Sequence, residues 1–122
     1  MVKKKILIVE DEIMLLETMK MRLESLDYEV ITSENGKDGA FKAISEKPDI
    51  IIADFMLPEL SGLEMVKIIR SNSDTKNIPV IVVSALGRKE DIEKATAAGA
   101  NDYIIKPYEV DELFEKIKDL LK

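Results

Sequence analysis

Neither cysteine nor histidine occurs anywhere in the 122 residues, and each absence removes a block of chemistry. Without cysteine there is no disulfide framework, no thiol nucleophile and no thiolate metal site. Without histidine there are no zinc sites of the usual kind, no Ser-His-Asp or Cys-His catalysis and no internal phosphohistidine. Long apolar runs are missing too: no stretch approaches the roughly 20 residues that span a bilayer, and the run at Ile6-Leu7-Ile8-Val9 is too short for a signal peptide. With a formal charge of −6, positive charge is in deficit, which disfavours phosphate backbones and anionic membrane surfaces as partners. A cytoplasmic protein with neither nucleic acid nor membrane as partner is the expectation. Its chemistry must run on carboxylates, hydroxyls and lysines.

What is present is a repeat of short apolar runs and longer helical patterns, with no Pro-, Gly- or Ser-rich linker between them. The strand candidates are 5–9, 28–33, 49–53, 80–83 and 103–105, each followed by helical periodicity. Such alternation predicts an α/β domain, a parallel sheet with helices on both faces. The first, third and fourth runs are apolar throughout, as central strands are, whereas Tyr28-Glu29-Val30-Ile31-Thr32 mixes polar and apolar residues like an edge. This fits a flavodoxin-like (βα)5 three-layer sandwich with strand order 2-1-3-4-5, although the pattern alone leaves other orders open. Ligands of such sheets sit at the carboxyl ends of the strands.

The helices carry the matching stripes. Leu16, Met19, Leu23 and Leu26 share one face of the first, with Met14 and Met21 on the opposite side; Val110, Leu113, Phe114, Ile117 and Leu121 share one face of the last. Ser61 and Glu64 form a capping box for the third. The fourth offers its core only Ile92, Ala95 and Thr96 before Gly99 ends it, which predicts a weakly held, mobile helix. Gly39, inside the second helix, is expected to weaken it by roughly 1 kcal/mol.

At the strand ends lie Glu10-Asp11-Glu12 after the first run and Asp54 after the third. Taken singly, Asp11 also reads as a helix cap and Asp54 as a turn residue. If the two strands are neighbours, however, Glu10, Asp11 and Asp54 converge, and crowded carboxylates persist only with compensation by protons, a lysine or a metal. Oxygen-only ligands suit a hard cation such as Mg²⁺. The fourth run ends at Ser84-Ala85 and the fifth at Lys106-Pro107, adding a hydroxyl and an ammonium at the same edge. Carboxylate, metal, lysine and hydroxyl suffice for phosphoryl transfer, which is mostly positioning and charge neutralisation.

Ile-Val-Glu10-Asp11-Glu12, Asp54-Phe-Met-Leu-Pro58 with Gly62, Val83-Ser84-Ala85 and Gly99-Ala-Asn-Asp-Tyr103-Ile-Ile-Lys106-Pro107 together resemble the receiver domain of bacterial two-component response regulators. The resemblance covers essentially the whole chain and implies a single receiver domain over 1–122 with no output domain. It implies Asp54 as phosphoacceptor, and Mg²⁺, or Mn²⁺ in its place, held by Asp11, Asp54 and the Met56 carbonyl, with Glu10 acting on the metal. Lys106 would pair with the phosphoryl oxygens, Ser84 and Tyr103 would form the switch pair, and the Lys106–Pro107 bond would be cis. Tyr103 is expected to turn inward once phosphorylation draws Ser84 away. A sensor histidine kinase or phosphotransfer protein would be the donor, docking in part on Met14, Met21, Pro107 and Tyr108. A target protein would bind the face of helix 4, strand 5 and helix 5. The chain would catalyse its own phosphorylation and dephosphorylation without being a turnover enzyme.

A receiver-shaped interaction module that never meets a kinase is the strongest rival, and two others fit less well. An aspartate-nucleophile hydrolase carries a second acid two residues after the nucleophile, where this chain has Met56. A dinucleotide module needs a Gly-rich loop after the first strand, where it has Glu10-Asp11-Glu12.

Overall fold

A computed structural model describes residues 2–122. Five strand–helix units follow one another: β1 (Lys5–Val9), α1 (Ile13–Ser25), β2 (Glu29–Ser33), α2 (Gly36–Glu46), β3 (Ile50–Asp54), α3 (Gly62–Ser71), β4 (Val80–Ser84), α4 (Lys89–Ala98), β5 (Asp102–Ile105) and α5 (Val110–Leu120). The strands pair in parallel in the order β2-β1-β3-β4-β5, as expected. Strand ends shift by a residue from the periodicity: β2 starts at Glu29, β3 extends through Asp54, β4 through Ser84, and β5 begins at Asp102. The polar residues at those ends complete backbone ladders, which apolar patterning does not register.

Alternation along the central strands divides the core into two layers. Ile6, Ile8, Ile50, Ile52, Ile81 and Val83 face α1 and α5, where Leu16, Leu23, Leu113 and Ile117 meet them. Leu7, Val9, Ile51, Ala53, Val80 and Val82 face the other way, against Ala43 of α2, Met65 and Ile69 of α3, and Ala95 of α4. α3 begins as a capping box, the Ser61 Oγ accepting the Glu64 N–H at 3.2 Å while donating to the Glu64 carboxylate.

Three expectations need correction. Leu26 is not on the buried stripe: it is the residue after the last turn of α1 and is 47% exposed. On α4 the inward residues are Asp91, Ala95 and Ala98, with Ile92 half-buried, whereas Thr96 faces solvent. The stripe was misread because its N-terminal member is a carboxylate, buried with an ion pair from Arg88 Nε at 3.2 Å. Finally, Gly39 is no mere weak point of α2. A Cβ there would lie 2.8 Å from the Met65 Sδ and 2.9 Å from a Val9 methyl, so the missing side chain lets α2 settle onto β1 and α3.

Arg70 locks the far end of α4. Its guanidinium donates to the carbonyls of Gly99 (2.9 Å), Ile78 (2.7 Å) and Lys76 (3.2 Å) and to the Asn101 side chain (2.8 Å). Gly99 itself ends α4 at φ 119°, in the left-handed region that favours glycine.

Candidate functional site

Strand register assembles the site. Val9 pairs with Ala53, so the next residues along, Glu10 and Asp54, leave neighbouring strands at one level. Ser84 pairs with Ile105, which puts Lys106 one step further on, its N–H donating to the Ser84 carbonyl at 2.8 Å. After β3 the chain doubles back tightly: the Gly62 N–H donates to the Phe55 carbonyl, and a Cβ on Gly62 would lie 2.1 Å from the Asp54 carbonyl oxygen. Only glycine permits that approach. The Lys106–Pro107 bond is cis.

Lys106 Nζ stands 2.8 Å from both Glu10 Oε1 and Asp54 Oδ2. The remaining oxygens are met by backbone: Glu10 Oε2 accepts the Glu12 N–H at 3.1 Å, and Asp54 Oδ1 the Met56 N–H at 3.0 Å. One carboxylate oxygen each from Glu10, Asp11 and Asp54 lies within 4.8 Å of the others. Asp11 is exposed, and it caps nothing: the N-cap of α1 is Glu12, whose side chain makes no cap bond. Its place among the acids is therefore not explained by helix capping.

Burial pushes the Glu10 carboxyl up, against the hydrogen bonds of Lys106 and Glu12 N–H, while the Asp54 charge acts in the same direction as burial. Burial also works against the Lys106 ammonium, but the hydrogen bonds and charges of Asp54 and Glu10 outweigh it and hold the lysine above its ordinary 10.5. Three carboxylates around one ammonium leave the cluster short of positive charge. An all-oxygen donor set with an exposed member fits a hard divalent cation that keeps water or phosphate ligands.

Beside this cluster, Ser84 is buried and its Oγ accepts the Leu86 N–H at 3.1 Å. The Tyr103 hydroxyl donates to the carbonyl of the same residue, Leu86, and its ring sits edge-on to Phe55 at 6.4 Å. Ser84 and Tyr103 thus both grip the backbone of Leu86. Tyr103 is already half-buried, whereas the resemblance implied an inward turn only after Ser84 moves. Packing on Phe55 and the Leu86 bond hold it there. Burial raises the Tyr103 phenol, Ser84 opposes, and the charges of Asp91 and Asp54 add to the rise.

Of the residues singled out from the sequence, Glu10, Asp11, Asp54, Ser84 and Lys106 meet at this edge of the sheet and Tyr103 lies beside them within β5, whereas Met14 and Met21 are on α1. Sequence reasoning did not assign the Leu86 backbone link, since backbone groups leave no mark on residue type. It also passed over Asp91, whose spacing from Ala95 and Ala98 was the available signal. Met14 and Met21 are exposed, as their helical phase requires.

A carboxylate cluster with a bridging lysine, set where the strand order of a doubly wound sheet reverses, defines a phosphoryl- and metal-handling class of α/β domain. Residues 6–118 match the response regulator receiver domain family, and the chain belongs to it. Accepting a phosphoryl group from a histidine kinase is the general function of this domain in two-component signalling. The chain is 40% identical over 118 residues to the response regulator ArlR of Staphylococcus saprophyticus, covering 97% of this chain and 52% of that protein. It is 36% identical over 122 residues to the phosphate regulon transcriptional regulatory protein PhoB of Pseudomonas aeruginosa, covering 100% of this chain and 53% of that one. It therefore spans about half the length of these curated relatives.

Among solved structures, the chemotaxis protein CheY4 of Vibrio cholerae superposes with a TM-score of 0.92 at 28% identity, covering 98% of this chain and 100% of that chain. The receiver domain of the sensor histidine kinase PA1611 from Pseudomonas aeruginosa, with magnesium coordinated in its active-site cleft, gives a TM-score of 0.91 at 29% identity, covering 98% of each chain.

Proposed function

We propose that this chain is a phosphorylation switch in which Asp54 accepts a phosphoryl group from the phosphohistidine of a sensor histidine kinase or phosphotransfer protein. The carrying observation is the ammonium of Lys106 held 2.8 Å from both Asp54 and Glu10, with Asp11 in the same cluster. An Asp54 oxygen forms the new P–O bond as the donor's P–N bond breaks; being an anion, it needs no base. Lys106 then turns its hydrogen bond from the carboxylate to a phosphoryl oxygen. Glu10, Asp11, Asp54 and the Met56 carbonyl would hold Mg²⁺, or Mn²⁺, which when bound supplies charge neutralisation at the phosphoryl oxygens. The chain promotes its own phosphorylation and dephosphorylation and is not a turnover enzyme.

Ser84 and Tyr103 make the switch. When the Ser84 hydroxyl turns toward the phosphoryl group it releases the Leu86 N–H; Tyr103, bound to the Leu86 carbonyl, and the start of α4 then shift with that loop. The output surface is the face of α4, β5 and α5, read by a target protein, while the exposed Met14 and Met21 give α1 an apolar surface for the donor. The chain acts in the cytoplasm as one receiver domain over 1–122. The net charge of −6 argues against direct nucleic-acid contact by this stretch. Among the described residues no helix is long and apolar enough to cross a membrane.

Intact mass after incubation with acetyl phosphate and Mg²⁺ tests the reading. A single phosphate-sized adduct is expected, dependent on Mg²⁺ and absent from Asp54→Ala. A folded protein that takes up no phosphate would instead be a phosphorylation-independent binding module.

A further inference from the structure

On the side of the sheet covered by α1 and α5, the two helices do not close over one another. Between them lies a cavity of about 460 Å³, within the roughly 300–1,000 Å³ of small-molecule sites. Leu15 and Met19 of α1, Leu113 and Phe114 of α5, and Pro107 and Tyr108 from the loop between β5 and α5 supply its walls.

Its charge runs against that of the molecule. Acids outnumber bases 24 to 18 in the chain, yet among the described residues no carboxylate lines this cavity. Its charged lining groups are Arg22 and Lys106. Lys106 is committed to Glu10 and Asp54, whereas Arg22 has no ion-pair partner among the described residues. The Arg22 charge reaches the Tyr108 phenol, which burial raises; the charges of Lys106 and Arg22 draw it down, and that of Glu10 acts with burial. The Tyr108 hydroxyl has no hydrogen-bond partner among the described residues. An apolar cavity with a free guanidinium and a free phenol is complementary to an apolar body ending in one anionic group.

We propose that the groove between α1 and α5 binds a small amphipathic carboxylate of the medium-chain fatty acid type, its tail between Met19 and Phe114 and its carboxylate on Arg22 and the Tyr108 hydroxyl. This site adjoins the carboxylate cluster through Lys106, which lines the groove and binds Glu10 and Asp54.

Amide and methyl signals are followed during titration of the full chain with decanoate below its micelle concentration, with decanol as the uncharged control. Saturable shifts confined to α1, the Pro107–Tyr108 loop and α5 are expected, with decanol at least tenfold weaker. Arg22→Glu, at an exposed position, should weaken decanoate binding at least tenfold without affecting decanol; Thr18→Trp, also exposed on the groove wall, should block both. No saturable shift, equal affinity for decanol, or unchanged decanoate affinity in Arg22→Glu would overturn the proposal. So would shifts scattered over exposed apolar residues such as Phe41, or a groove that ignores decanoate but takes up an apolar helical peptide.

Discussion

Lys106 is the residue on which the site turns electrostatically, because its ammonium alone separates Glu10 from Asp54. Its folded value is raised, so its contribution to stability is fully present below its ordinary 10.5 and is lost as pH climbs through the folded value. Lys106→Met should therefore destabilise the protein by about 2 kcal/mol at neutral pH, between the values of exposed and buried ion pairs. The gap to the unaltered protein should stay flat to about pH 10 and narrow above it, as denaturant melts across pH would record. Gly39 makes an opposed test at the same scale. Helix propensity alone predicts that Gly39→Ala stabilises by about 1 kcal/mol. The contacts at 2.8 and 2.9 Å with Met65 and Val9 predict instead a net loss of about 1–2 kcal/mol, since Val9 sits on a central strand and cannot withdraw. A raised urea midpoint for Gly39→Ala would favour propensity.

At the scale of elements, α4 stands apart. It begins at Arg88 without a side-chain cap, and two of its three buried residues are alanines, so little apolar area holds it to the sheet. Its two ends are unequal: Arg70 binds the backbone at Gly99, whereas the start is tied through Arg88 to Asp91. Backbone amides of α4 should exchange with solvent faster than those of α3, which has a capping box and buries Met65, Val66 and Ile69. With BeF₃⁻ and Mg²⁺ standing in for phosphate, signals from Ser84 to Tyr108 should move while those of α3 stay. Unmoved signals from Ser84 to Tyr108, with the anion bound at Asp54, would remove the switch even if the acceptor stood. Sequence periodicity showed that α4 was weak but not how it faced, because a buried Asp at its inward edge reads as a solvent residue until Arg88 is seen beside it.

For the whole molecule, folding concentrates three carboxylates at one edge of the sheet, a self-repulsion that the dispersed charges of an unfolded chain do not feel. A cation bound there binds the folded state selectively. Mg²⁺ at ten times its dissociation constant should stabilise by roughly 1.4 kcal/mol, a rise in Tm of roughly 4–8 °C beyond an NaCl control of equal ionic strength. Asp11→Asn should lose most of that rise, and an unchanged Mg²⁺ response in this variant would remove Asp11 from the metal's ligands.

The sequence by itself determined the alternation of strands and helices, the two faces of the sheet, and the candidate residues Glu10, Asp11, Asp54, Ser84 and Lys106, with Tyr103 added by the family resemblance. Burial on both faces demands apolar runs, and chemistry at strand ends demands particular residue types, so both are written in residue identity. Tertiary structure decided what depends on distance. It set the register that levels Glu10 with Asp54, the shared ammonium of Lys106, the grip of Ser84 and Tyr103 on Leu86, the close approach at Gly39 and the open groove beneath Arg22. Each of these arises where segments far apart in the chain meet, and a linear pattern carries no record of how closely they approach.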